Sequence, residues 1–223
     1  MKTFLPVLLT FIFLATLPSC DNTNPHQGHD ANKHMNKSSF EDLVNRFEDS
    51  DRMKWQKPYE VIEKLGIEGK TVADIGAGTG YFAFRMLNKA KKVIAVDVDK
   101  RFIDYLEQKK SQVPDSLQAR FETRQGELND PMLKHNEVNV ILVVNTYHHI
   151  DDRVRYFRGL QKNLDIDGKL VIVDFKKKRT PEGPPKKMRM SADQVVGELE
   201  EAGFTDIHVD EDTLPYQYII TAI

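Results

Sequence analysis

From residue 39 onward the apolar positions switch repeatedly between helical and strand spacing. Phe40, Leu43, Val44 and Phe47 fall at i, i+3, i+4 and i+7 behind Ser38-x-x-Glu41, a capping-box pattern that predicts a helix starting near residue 39. A second short helix is predicted from Pro58, acceptable in a first turn, to Leu65, with Gly66 as its stop. Thr71 to Ile75 is a short apolar run closing on glycines, and Tyr81 to Asn88 carries Phe82, Ala83, Met86 and Leu87 at helical spacing. Val93 to Val96 is a β-branched run, and Phe102, Ile103 and Leu106 mark the helix after it. Val138 to Val144 predicts a third buried strand, Val154, Phe157, Leu160 and Leu164 a helix, and Leu170 to Val173 a fourth strand. Ser191-x-x-Gln194 caps a helix through Val195, Val196 and Leu199 that stops at Gly203, and further strands are predicted near Ile207 and at Tyr216 to Ala222. Such alternation, with near-continuous apolar strands, predicts an α/β fold: one domain with a parallel sheet covered by helices on both faces.

Residues 1–38 do not follow this pattern. Lys2 precedes an apolar run from Phe4 to Leu17, broken only by Pro6 and Thr10, and then Pro18-Ser19-Cys20. One cation, an apolar stretch too short to span a bilayer comfortably and small residues before a possible cut predict a secretory signal over residues 1–19. Leu17-Pro18-Ser19-Cys20 also resembles a bacterial lipobox, whose cysteine becomes the lipidated first residue of the mature chain. Cys20, the chain's single cysteine, is therefore the expected lipid-attachment site of an exported lipoprotein, anchored to a membrane of the bacterial cell envelope. Residues 20–38 read as a polar tether. It holds His26, His29 and His34, whose spacing fits no defined metal site, and no metal is expected.

Charge and cysteine count narrow the possible partners. Among 223 residues, 32 Lys and Arg stand against 34 Asp and Glu, a formal net charge of −2, which argues against a nucleic-acid partner. One cysteine excludes an intramolecular disulfide, a multi-thiolate zinc site and a CxxC redox pair.

The chemical signal lies at the first strand-to-helix turn, Asp74-Ile75-Gly76-Ala77-Gly78-Thr79-Gly80. Glycines suit a sharp turn that a ligand must approach closely. A dinucleotide fingerprint places its third glycine where this chain has Tyr81, and Asp74 ahead of the loop suits a cation better than a pyrophosphate.

On these residues the chain resembles the class I S-adenosylmethionine-dependent methyltransferases, whose first motif reads much like Val72 to Gly80. The resemblance spans about residues 40 to 223 and makes 39–223 a methyltransferase domain. It implies a Rossmann-like seven-stranded, mostly parallel sheet of order 3-2-1-4-5-7-6 with an antiparallel last strand, and S-adenosylmethionine as cofactor. It implies cofactor contacts from Asp74, Gly76, Ala77, Gly78 and Gly80, and a ribose-binding acid at Asp97. A carboxylate there can accept from two hydroxyls at once; the alternative for Asp97 is a helix N-cap. Glu127 is the match for the adenine-side acid after strand three. The loop leaving strand four, Asn145-Thr146-Tyr147-His148-His149, is similar to the segment that family members place beneath the sulfonium. The activity implied is methyl transfer to a small or medium-sized acceptor by in-line displacement, with positioning as the main catalytic effect.

His148 and His149 are the candidate general bases, and adjacent residues are expected to face different ways, so at most one would act. Asn145 is a candidate partner for the cofactor's amino group or the acceptor, and Tyr147 for either ligand. Trp55, with Arg52 and Tyr59, precedes the first strand where the family often places a lid. Lys176 opens a basic segment running to Arg189, read either as a substrate loop or as a solvated one. The competing functional class is a lipid-anchored, catalytically inactive protein that binds a nucleoside or S-adenosylmethionine-type ligand. Export of a domain whose cofactor is made in the cytoplasm motivates it.

Overall fold

The computed structural model describes residues 37–223 together with Asn32 and Met35. The expected leader, Cys20, His26, His29 and His34 lie outside the described residues.

From residue 37 on, three helices precede the sheet: α1 (Phe40–Phe47), α2 (Arg52–Trp55) and α3 (Pro58–Leu65). The cap of α1 is Ser39, whose side chain accepts from the Asp42 amide, one residue later than the Ser38–Glu41 pattern predicts. Gly66 ends α3 in the left-handed conformation, φ 55°, as a helix stop requires. The sheet and its connections follow as β1 (Thr71–Ile75), α4 (Ala83–Met86), β2 (Lys92–Asp97), α5 (Lys100–Lys110), α6 (Asp115–Gln118), β3 (Phe121–Gln125), β4 (Val138–Val144), α7 (Arg153–Leu160), β5 (Leu164–Phe175), α8 (Ala192–Ala202), β6 (His208–Asp210) and β7 (Gln217–Ala222).

Seven strands form one sheet in the order β3-β2-β1-β4-β5-β7-β6. The pairs from β3 through β5 are parallel, and β7 runs antiparallel to both β5 and β6. This is the order and polarity expected from the sequence. Alternate residues of each central strand enter opposite layers, as the two-residue side-chain period requires. Ala73, Ile94, Ile141, Ile172 and Ile220 pack with α7 and α8 on one face. Val72, Val93, Val140, Val171 and Ile219 pack with α3 and α4 on the other.

Three local expectations differ from the structure. The α4 helix is shorter than Tyr81 to Asn88, its flanks being turns. Leu164 belongs to β5, where it pairs with Val138, and a single 3-10 turn over Gln161–Asn163 separates it from α7. β3 carries no apolar alternation because it is an edge strand: Phe121 is buried, while Glu122 and Arg124 are half-exposed and ion-paired to each other.

Candidate active site

The parallel strands end together, and β1 lies between β2 and β4. Chain connectivity reverses direction there, the place where open α/β sheets bind ligands. A cavity of about 470 Å³ opens at this edge, within the usual size of a small-molecule site.

Gly76, Ala77 and Gly78 line it. Gly76 has φ +73°, and a Cβ there would lie 2.3 Å from Thr146 Oγ1, so only glycine lets the loop after β1 approach the loop after β4 so closely. Gly80 does not reach the cavity. A Cβ on it would meet Leu106 and Phe84 at 2.7 Å, so its role is to pack the loop against α5.

Two buried acids stand behind the loop. Asp97 Oδ2 accepts from the Gly78 amide at 2.8 Å and Oδ1 from the Asp99 amide at 2.9 Å, tying the end of β2 to the turn after β1. The N-cap of α5 is Asp99, accepting from Arg101, which removes the capping alternative for Asp97. Burial pushes Asp97 up to about 6 despite those backbone donors. Asp74 is pushed up to about 7, first by burial and then by the neighbouring Asp97 charge. Opposite lies Arg52, lowered to about 10 by burial. Its guanidinium sits 3.8 Å from the centre of the Tyr81 ring, which the Arg85 guanidinium also approaches at 3.7 Å. Thr79 Oγ1 and Tyr81 OH are buried on the cavity wall with no hydrogen-bond partner among the described residues. Such orphaned groups call for a ligand to satisfy them.

The histidines occupy the 3-10 turn after β4. Their ring centroids are 4.4 Å apart and both line the cavity, contrary to the expectation that adjacent residues face different ways. His148 Nδ1 lies 2.9 Å from Asp174 Oδ2, and Asp174 Oδ1 accepts from the Phe175 amide. Burial pushes Asp174 up, but the His148 imidazole beside it and that amide outweigh it and hold the carboxyl below its ordinary range. An ionised carboxylate only accepts, so Nδ1 donates and Nε2 is the ring nitrogen left over. His149 is lowered to about 3, by burial first and His148 second. Its Nδ1 faces Asn32 Oδ1 at 3.0 Å, and Asn32 Nδ2 donates to the His149 carbonyl at 3.1 Å.

Asp74, Asp97, Glu127, Asn145 and Trp55 also line the cavity. Besides Gly80, two predicted residues do not. Tyr147 is wholly buried, stacked on Phe157 with its hydroxyl donating to Glu198 at 2.6 Å, and belongs to the core. Lys176 turns away, its Nζ donating to the Glu211 and Leu214 carbonyls. The basic segment it opens is neither simply solvated nor an anion clamp. Pro181 to Pro185 and Met188 line the cavity, while Arg189 fastens the loop through Pro184, Lys176, Lys178 and Glu182 carbonyls and the Thr180 hydroxyl. Tyr59 is exposed. Asp174, Asn32, Met35, Gln56 and Gln217 are contributors that sequence reasoning missed. Asn32 and Met35 fall in the segment read as a solvated tether, yet both line the cavity.

Residues 73–172 match the family model described as a methyltransferase domain. Phosphoethanolamine N-methyltransferase 1 of Arabidopsis thaliana is 27% identical over 176 residues, 72% of this chain and 34% of the plant protein. The cypemycin N-terminal methyltransferase of a Streptomyces species is 27% identical over 105 residues, 46% of this chain and 40% of that protein. The chain thus aligns with well under half the length of either relative. Among solved structures, a SAM-dependent methyltransferase from Aquifex aeolicus superposes with a TM-score of 0.74 at 25% identity, covering 83% of this chain and 98% of that one. The glycopeptide N-methyltransferase MtfA, solved with S-adenosylmethionine, superposes at 0.63 with 14% identity, covering 75% of this chain and 86% of that one. The fold is the Rossmann-like fold of S-adenosylmethionine-dependent methyltransferases.

Proposed function

We propose that the protein transfers the methyl group of S-adenosylmethionine to a small or medium-sized acceptor. The observation that carries this reading is the Gly76–Gly78 cradle tied to Asp97, with the unpartnered Thr79 Oγ1 and Tyr81 OH on the same wall. Polar atoms buried without partners, a backbone that admits no Cβ and two acids near a cationic ligand fit the chemistry of this cofactor. When bound, S-adenosylmethionine supplies a methyl group on an already activated sulfonium.

The chain's own residues do the rest. Asp97 offers two carboxylate oxygens to the ribose hydroxyls, and Asp74 offsets the cofactor's positive charge. Glu127 stands on the adenine side. Trp55, Phe175 and the Pro181–Pro185 loop wall the other end and exclude water. His148, oriented by Asp174, holds an imidazole lone pair toward the acceptor and takes its proton. The dyad also supports an active enzyme over an inactive binder, since ligand retention alone needs no base held by a buried carboxylate. Calorimetric titration of the full chain with S-adenosylhomocysteine tests the cofactor reading. Micromolar binding that Asp97→Ala abolishes is expected; absence of binding at millimolar ligand overturns it.

The leader belongs to the same proposal: residues 1–19 are removed, and lipidated Cys20 holds the domain at a membrane surface. The apolar run from Phe4 to Leu17 ahead of the chain's single cysteine supports it. Mass spectrometry of the mature N-terminus tests it, an unmodified Cys20 being the refuting result.

A further inference from the structure

A chain of buried side chains crosses the site and fixes the direction of every hydrogen bond in it. Arg52 Nε donates to Gln56 Oε1 at 2.8 Å, Gln56 Nε2 donates to Gln217 Oε1 at 3.0 Å, and Gln217 Nε2 donates to Asn145 Oδ1. Gln56 and Gln217 are fully buried. A guanidinium can only donate, so Gln56 must present its oxygen to Arg52, and each amide after it is oriented in turn. The last consequence falls on Asn145. Its oxygen already accepts from Gln217, and its Nδ2 has no partner among the described residues at the cavity that Asn145 lines. Asn145 holds φ +54°, a left-handed conformation that asparagine tolerates better than most residues. On the same loop His148 has Nδ1 tied to Asp174, which leaves Nε2 as its remaining ring nitrogen.

Among the polar side chains that line the cavity, the loop after β4 thus sets a hydrogen-bond donor, Asn145 Nδ2, beside a candidate base, His148. An amine nucleophile is poorly served by this pair. Its nitrogen has a single lone pair, which must point at the methyl group, and a donor from Asn145 would compete for it. An oxygen keeps further lone pairs after one is committed to bond formation, so it can take the Asn145 hydrogen bond and attack at once. Trp55 and Phe175, with centroids 5.5 Å apart, give the same region an aromatic wall suited to a flat ring. Asp174 does not present a free carboxylate there, since both its oxygens are engaged.

Resting on the methyl-transfer reading above, we infer that the methyl acceptor is an oxygen: an ionisable hydroxyl of phenol or enol type on a flat skeleton, deprotonated by His148 and held as its anion by Asn145. The O–H proton passes to His148 Nε2. An O–CH3 bond forms as the sulfonium S–CH3 bond breaks, the bonding pair stays on sulfur as a neutral thioether, and the imidazolium returns its proton to solvent. One relative is named as a phosphoethanolamine N-methyltransferase and the other as an N-terminal methyltransferase, so this assignment separates the chain from the first by name.

The test uses the full chain saturated with S-adenosylhomocysteine and two matched probes, 4-nitrophenol and 4-nitroaniline. At a pH below the solution pKa of 4-nitrophenol, the bound probe is expected to show the yellow phenolate absorbance and to bind at least roughly tenfold more tightly than 4-nitroaniline, the scale of one hydrogen bond to a charged group. Asn145→Asp, nearly isosteric and still able to accept from Gln217, should remove that preference when each protein is measured at an S-adenosylhomocysteine concentration that saturates it. Before any phenol is added, nitrogen-15 spectra should show neutral His148 carrying its proton at Nδ1. Equal or aniline-favoured binding, nitrophenol bound in its neutral form or not at all, or an Nε2–H tautomer would each overturn the oxygen assignment. Failure to bind S-adenosylhomocysteine would overturn the methyl-transfer reading itself.

Discussion

Asp74→Asn should make the ligand-free protein more stable at alkaline pH and weaken its hold on a cationic ligand. Asp74 is almost fully buried, and burial together with the Asp97 charge raises it from 3.8 to about 7. A carboxyl whose folded pKa lies above its unfolded value favours the folded state while protonated. That contribution is complete below pH ~4 and is lost as the pH rises through about 7. At 1.36 kcal/mol per tenfold change in proton affinity, the full swing is on the order of 4 kcal/mol. About 3 kcal/mol of it falls between pH 5 and 7.5, roughly 6–12 °C in melting temperature for a chain of this size. Asparagine keeps the shape and cannot ionise. Its melting temperature should exceed that of the wild type at pH 8 and decline less from pH 5 upward. A residual slope of the same sign is expected from Asp97, itself raised to about 6. Scanning calorimetry of both ligand-free proteins across pH 5–8 reads the effect. Parallel stability curves would refute the claim that Asp74 is held ionised at a cost, and an unchanged S-adenosylmethionine affinity would refute its role toward a cation.

Gly76→Ala adds a left-handed residue, ~1–2 kcal/mol, and an overpacking clash with Thr146, ~1–3 kcal/mol; a melting temperature matching wild type would disprove the contact read at 2.3 Å. Arg189→Ala releases the Pro181–Pro185 loop from its carbonyl and hydroxyl contacts. Limited trypsin digestion should then cut between Lys176 and Lys187 faster than in the wild type, while the S-adenosylhomocysteine Kd stays unchanged. Equal digestion rates would count against the staple.

The central strands were legible because burial on both faces leaves only apolar side chains at most positions, and Val93–Val96 and Val138–Val144 show it directly. β3 was not legible from periodicity, since an edge strand with one buried residue, Phe121, carries no period to detect. Leu164 was misplaced because a leucine four residues after Leu160 satisfies helical spacing whether or not the helix continues. The chain leaves α7 through a 3-10 turn and enters β5 at that residue. Asn32 and Met35 were hidden differently, since a polar segment with few apolar residues gives no sign that it lies against a cavity.

The cofactor half of the site was legible and the acceptor half was not, and the difference follows from how each is assembled. Asp74 through Gly78 are contiguous, and Asp97 ends the strand that pairs residue by residue with β1, so one local pattern and one interval disclose them. The acceptor half depends on registers that a single sequence does not fix. His148 meets Asp174 because β4 pairs with β5 through Val144 and Val173, which sets the turn after one strand beside the residue ending the other. Gln217 reaches Asn145 because β7 runs antiparallel with Gln217 opposite Phe175. One step of slippage in either pairing would turn Asp174 or Gln217 to the opposite face of the sheet. Reversal of β7 therefore shapes this half of the site: it sets the Gln217 amide against Asn145 Oδ1, the contact from which the oxygen-acceptor proposal starts.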